Sequence, residues 1–350
     1  MRDALWSVMS KGAQVMAPDA LLPAAALLDL YGEDIRARAY VTQDPVLGEM
    51  MLRPDYTVPV VQAHMAGGVA PARYAYQGPV WRKQTAASGR AREYGQIGLE
   101  VFDGTNPAAA NADVFDTIMR ALDHAGVNGR AVITGDIALM RSAVASLQMS
   151  ELRRGALMRH LWRPNRFNAL LARFAGEADH PQGRDALSLE ALDTQVADAG
   201  PAIGLRSPDT VIARVQRLVG DRDEVKVPRD QVTALRALQA MSTNLSEAAD
   251  AALALVAPLP LLSPAIDSLR AWADAIASKG YDPAKIEFRG AYGLTSMEYY
   301  DGFVFGVSVQ NQLVATGGRY DALTAALGGG SKMAAVGAVI RPDSLQAALS

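Results

Sequence analysis

Cysteine is absent from the 350-residue chain, which excludes disulfides and thiolate metal sites and makes a reducing compartment unremarkable. Histidine is scarce. The four residues His64, His124, His160 and His180 are scattered and form no ligand-spaced pair. No metal site is expected, although carboxylates could still hold magnesium beside a nucleotide. An excess of positive charge is missing as well. The formal net charge is −3, without a polybasic arm or tail, which argues against an extensive nucleic-acid surface, because such a surface must neutralise phosphates. No apolar run approaches the roughly 20 residues that span a bilayer. The first residues, MRDALWSVMSKG, lack the apolar core of a signal peptide. The expectation is a cytoplasmic chain with no membrane contact.

Half of the residues are hydrophobic, enough for a large core plus an inserted block. Residues 1–35 read as helical apart from a break between Gly12 and Pro18, with a second helix starting near Pro23. Ala39 to Leu52 supplies short strands around a turn at Pro45 to Gly48. In L-R-P-D-Y-T-V-P, Leu52 to Pro59, Pro54 ends the strand and a helix starts near Thr57, for which Asp55 and Thr57 are ordinary caps. Val114, Ile118 and Leu122 form one stripe of a helix over Asn111 to Ala125. A strand from Ala131 to Thr134 and a helix from Ile137 follow. From about 150 to 280 the periodicity is helical throughout, with linker character at Ala178 to Arg184 and Asp221 to Arg229. Strand patterning returns after Lys285, and the chain finishes on a strand from Ala334 and a short helix.

The most informative stretch runs from Arg73 to Asp103, RYAYQGPVWRKQTAASGRAREYGQIGLEVFD. Alternation over Tyr74 to Trp81 and Glu93 to Phe102 predicts an antiparallel ribbon with a polar loop between its strands. Side chains two and four apart on a strand share a face. Gln96 and Glu100 therefore point the same way across Gly98, as do Gly78 and Arg82 on the first strand. A carboxylate, an amide and a guanidinium around a glycine-lined gap suit a small ligand carrying an N–H or cationic group and an anionic one. An ordinary salt-bridged surface hairpin fits the same pattern.

The wording of the hairpin, Y-x-G-P-V-W-R followed by G-R-A-R-E-Y-x-Q-I-G-L-E, resembles motif 2 of the class II aminoacyl-tRNA synthetases in its histidyl version. E-Y-Y-D-G-F-V-F (Glu298 to Phe305), A-T-G-G-R-Y-D-A-L (Ala315 to Leu323) and A-A-V-G-A (Ala334 to Ala338) resemble the histidine-binding segment and the approach to motif 3. The resemblance implies an α+β fold: a mixed, mainly antiparallel sheet flanked by helices, interrupted by a mainly helical insertion at about 150–280. It implies a histidine-like ligand pocket at Asp55, Thr57, Arg82, Gln96, Glu100, Tyr299 and Tyr300. In that pocket Asp55 would pair with an ammonium, Arg82 with a carboxylate, and Glu100 with an imidazole N–H.

The cations needed for ATP chemistry are not at the aligned positions. Thr295 and Ser296 stand where the family has Arg and Gly, with Arg289-Gly290 six residues earlier. Gln84 replaces the usual acid after Arg82, and Gln62 stands where an arginine is usual. Ser344 replaces the arginine of motif 3, and Pro342 is expected to break the helix there. Losing one such donor costs a few kcal/mol of transition-state stabilisation; losing two should abolish adenylation. The sequence reaches Ser350 shortly after motif 3, and no anticodon-binding domain is expected.

This combination resembles the regulatory subunits of ATP phosphoribosyltransferase, which act in histidine biosynthesis. That resemblance implies a non-catalytic chain without a cofactor of its own. It implies a dimer within a hetero-oligomer, by family a hetero-octamer, with the short catalytic subunit as partner. Histidine is the implied effector, and no tRNA is expected. The alternative is a histidyl-tRNA synthetase or a related amino-acid-activating enzyme.

Overall fold

The computed structural model describes residues 1–85, 88–89, 91–184, 186–190, 192–200, 207–294 and 299–350. Twelve strands are assigned among them: β1 (Gln14–Val15), β2 (Leu21–Pro23), β3 (Val41–Asp44), β4 (Gly48–Leu52), β5 (Ala72–Trp81), β6 (Glu93–Phe102), β7 (Arg130–Asp136), β8 (Ser242–Asn244), β9 (Glu287–Arg289), β10 (Phe303–Val309), β11 (Gln312–Arg319) and β12 (Ala335–Ile340). Nine of these form one sheet in the order β1-β5-β6-β12-β11-β10-β7-β9-β8, and β2-β4-β3 form a small second sheet. The large sheet is antiparallel apart from its β1/β5 and β7/β9 pairs, which are parallel. This is the α+β, mainly antiparallel architecture expected.

The hairpin β5–β6 pairs in the register that the alternation predicts, with Tyr74 opposite Glu100, Tyr76 opposite Gly98 and Gly78 opposite Gln96. Residues directly opposite share a face, so all six lie on one side. On the neighbouring strand, Gly337 of β12 stands opposite Glu100. Four mainly antiparallel strands, β6, β12, β11 and β10, thus form the floor under the candidate residues.

Helices cover the sheet. The helix Pro107–His124 starts on an Asn106 side chain that accepts from the Ala109 N–H, with Pro107 at the first helical position. That position suits proline because its missing N–H would have had no helical partner. Val114, Ile118 and Leu122 are fully buried, as the stripe predicts. Among the described residues the block from 150 to 280 consists of helices joined by turns and loops, with β8 as its one strand, and its second half meets the sheet. Leu235, Leu238, Ile266, Leu269 and Trp272 belong to the same apolar core as Phe303 and Phe305, and the Trp272 and Phe303 rings lie 4.6 Å apart.

The break between Gly12 and Pro18 is present and contains β1, which adds to the sheet edge beside Tyr74 and Ala75. Two expectations need correction. The supposed linker starting at Asp221 begins later, because the helix Pro208–Asp223 runs through it. Asp221 is buried there against Arg153 and Arg184. Pro342 starts the last helix, Pro342–Leu349, at its first position instead of breaking it.

Candidate functional site

All seven candidate residues line one cavity, together with Thr316, Tyr320 and Arg341 among others. The strand period delivers Gln96 and Glu100 from β6. Asp55 and Thr57 come from the start of the helix Thr57–Met65, Arg82 follows the end of β5, and Tyr299 and Tyr300 precede β10. The positions Thr295 and Ser296, which carry the loss of the family's arginine and glycine, lie outside the described residues, as does Glu298.

Glu100 is 1% exposed and is the electrostatic centre of the site. Its Oε1 accepts from the Thr57 hydroxyl at 2.8 Å and from Tyr76 at 2.9 Å. Its Oε2 accepts from Tyr320 at 2.5 Å. Burial pushes its pKa up to about 7, against the opposing pull of these three hydroxyl donors. The carboxylate rests on the bare backbone of Gly337, where a Cβ would collide with Oε2. Burial also raises Asp55, opposed by the nearby Arg82 guanidinium. Asp55 does act as a helix cap, with Oδ1 accepting from the Val58 N–H at 3.2 Å, but Oδ2 is buried without a partner.

The gap expected over the glycines is filled. A Cβ on Gly98 would lie 2.5 Å from the Tyr76 ring, and one on Gly78 would meet the Tyr56 hydroxyl. The two tyrosine rings stack at 4.4 Å. Arg53, buried, holds the stack from outside by donating to Tyr56 at 2.5 Å and to the Pro79 carbonyl at 3.1 Å. The cavity that remains is about 20 Å³, room for a water but not for an amino acid. Alternation announces which residues share a face. It does not announce which aromatic neighbour occupies the space a glycine opens.

A larger cavity of about 750 Å³ lies next to it and shares Arg82, Tyr300, Thr316 and Arg341 as lining. Arg289, at the end of β9, lines it too, although its guanidinium is bonded to Glu287 at 2.6 Å. Three arginines therefore face one chamber, two of them from positions that the alignment of motifs does not use. Arg341, three residues before Ser344, fills part of the space of the replaced motif 3 arginine and lines both cavities, because Pro342 starts the last helix instead of breaking it. Tyr76 and Tyr320 were missed, and the visible signals were their places two residues before Gly78 and inside G-G-R-Y-D.

Among the described residues, no group of three acidic or histidine side chains could hold a metal, and no helix is long and apolar enough to cross a membrane. The family model for histidyl-tRNA synthetase matches residues 2–219 and 211–345. A protein of Allorhizobium ampelinum named ATP phosphoribosyltransferase regulatory subunit is 30% identical, covering 97% of this chain and 94% of its own. Its namesake in Agrobacterium fabrum is also 30% identical, over 93% and 90%. Among solved structures, an ATP phosphoribosyltransferase regulatory subunit/histidyl-tRNA synthetase from Bacillus halodurans superposes with a TM-score of 0.70 at 19% identity, covering all of this chain and 78% of that one. A histidyl-tRNA synthetase from Nostoc gives 0.65 at 15% identity, over 99% and 70%. At these identities the structural likeness speaks for the fold alone.

Proposed function

The chain belongs to the family of ATP phosphoribosyltransferase regulatory subunits, built on the histidyl-tRNA synthetase-like class II fold, and from that premise we propose that it is a non-catalytic receptor for histidine. In this reading it is a cytoplasmic dimer, assembled with a short catalytic subunit that needs it for the first step of histidine biosynthesis. The observation that carries the reading is the set of buried polar atoms around one cavity that have no partner among the described residues: Asp55 Oδ2, Gln96 Oε1 and Arg341 Nη1. Two acceptors and one cationic donor are the complement of an amino acid's ammonium and carboxylate. Orphaned buried groups cost about 1–3 kcal/mol each, so a ligand that satisfies them gains that much in return. Because the present cavity holds no more than water, histidine entry requires side-chain displacement. Binding is therefore coupled to rearrangement, and it regulates the complex to the extent that histidine prefers one state over another.

One observation favours a second reading, an amino-acid-activating enzyme: Arg82, Arg289 and Arg341 line one chamber large enough for a nucleotide. Against it stand Ser344 at the aligned arginine position and the commitment of Arg289 to Glu287. Pyrophosphate exchange dependent on histidine and ATP separates the two. The expected result for the purified chain is no exchange above the blank, and sustained exchange would establish the enzyme instead.

A further inference from the structure

Arg341 is the residue before the last helix, and two features fix where it points. Its backbone N–H donates to the Val314 carbonyl at 2.8 Å, tying it to β11. Pro342 then occupies the first helical position, and a proline disfavours the helical region for the residue before it. Arg341 is accordingly extended, at φ −107 and ψ 92. Its side chain lines both the small cavity and the large chamber. Nη2 donates to the Thr316 hydroxyl at 3.0 Å, and Nη1 has no partner among the described residues.

Among the described residues no carboxylate forms an ion pair with this guanidinium, although Asp55 and Glu100 line the same small cavity. Burial lowers the guanidinium's pKa, and the like charge of Arg82 lowers it further; the opposing influences come from Tyr94, Tyr300 and Tyr292. Asp343, two residues on, is turned away: its Oδ2 accepts from the Gly95 N–H at 2.7 Å and its Oδ1 from Arg2. A buried cation beside another cation is costly unless something negative arrives to share the site. Arg82 already donates through Nε to the Pro54 carbonyl at 2.8 Å and has the Tyr94 ring 5.9 Å away.

We propose that Arg341, and not Arg82 as the motif resemblance implies, is the primary holder of the ligand's α-carboxylate, opposite the ammonium site formed by Asp55 and Gln96. This assignment rests on the amino-acid-receptor reading and names the specificity determinant within it. A ligand without a carboxylate leaves the guanidinium unpaired, so the site discriminates an amino acid from its decarboxylated amine. Arg341 stands outside the inherited motif positions, which is how a chain with serine at position 344 can still recognise the anionic end of the ligand.

The test is calorimetric titration of the full chain with L-histidine, histamine and inorganic phosphate, for the native protein, Arg341→Met and Arg341→Lys. A charge-assisted hydrogen bond predicts that Arg341→Met weakens histidine binding about 10- to 100-fold. Histamine affinity should stay as it is in the native chain, and Arg341→Lys should fall between the other two proteins for histidine. Unchanged histidine affinity in both variants overturns the assignment while leaving the receptor reading in place. Equal loss of histidine and histamine also overturns it, making the role structural. Phosphate binding that vanishes in Arg341→Met while histidine binding persists assigns the anion to the larger chamber and overturns it too. A native chain that binds neither histidine nor histamine removes the receptor reading itself.

Discussion

Glu100 ties the site to pH. It accepts three hydroxyl hydrogen bonds in a buried setting that still favours its protonated form, with a pKa near 7. Below the ordinary carboxylate range the group is protonated in folded and unfolded chains alike and has no effect on stability. Between about 4.5 and 7 the unfolded chain releases the proton first. Stability therefore falls as pH rises through that window and levels off above it. A difference of this size corresponds to about 3 kcal/mol. In Glu100→Gln this share disappears, so urea titrations at pH 5 and pH 8 should show the variant gaining about that much on the native chain at the higher pH. An identical gap at both pH values would contradict the account. Asp136 titrates in the same range, also raised to about 7 by burial, so the comparison must be native against variant and not one pH against another. The side of the hairpin on which Glu100 lies was legible from alternation alone, and the motif resemblance added Asp55, Thr57 and the two tyrosines. The hydroxyls of Tyr76 and Tyr320 on its carboxylate were not legible. Strand period fixes direction, whereas which neighbour fills the space over Gly98 and Gly337 depends on packing between strands distant in sequence.

The elements divide into a sheet that carries the site and a helical block that partly joins it. The hairpin, the helix Pro107–His124 and the closing strand–helix pair all follow from period and punctuation. The last helix was misjudged only because proline at the first position reads, in sequence, like proline in the interior. Within the block, the helix Glu151–Arg159 is fastened to the helix Pro208–Asp223 by Arg153. Its Nε meets Asp221 at 2.9 Å and its Nη1 donates to the Val225 carbonyl at 3.0 Å, with Glu224 at 3.3 Å and the Phe174 ring at 4.8 Å. Breaking a buried pair by removing one partner typically costs 3–5 kcal/mol, and Arg184 remains to hold Asp221. Arg153→Met is therefore expected to cost about 3 kcal/mol, concentrated in the block. Hydrogen exchange should show faster exchange over Glu151–Arg159 and Pro208–Asp223, with the amides of Glu93–Phe102 unchanged. Equal loss of protection in the hairpin would contradict a block that opens separately from the sheet.

At the scale of the whole molecule, the fold is the histidyl-tRNA synthetase-like class II fold, and the proposed function asks its site to bind and not to react. On that proposal Asp55, Gln96 and Arg341, which line one cavity, meet the ligand, while the cations expected to stabilise charge on ATP are rearranged: Ser344 stands at the aligned arginine position, and Arg341 reaches the cavity from three residues before it. The claim that its function is regulatory is tested most directly by the turnover of a short ATP phosphoribosyltransferase catalytic subunit, measured alone, with this chain, and with this chain plus histidine. The account predicts that adding the chain raises turnover and that histidine then suppresses it. A catalytic subunit equally active alone, and unaffected by the chain with or without histidine, would contradict it.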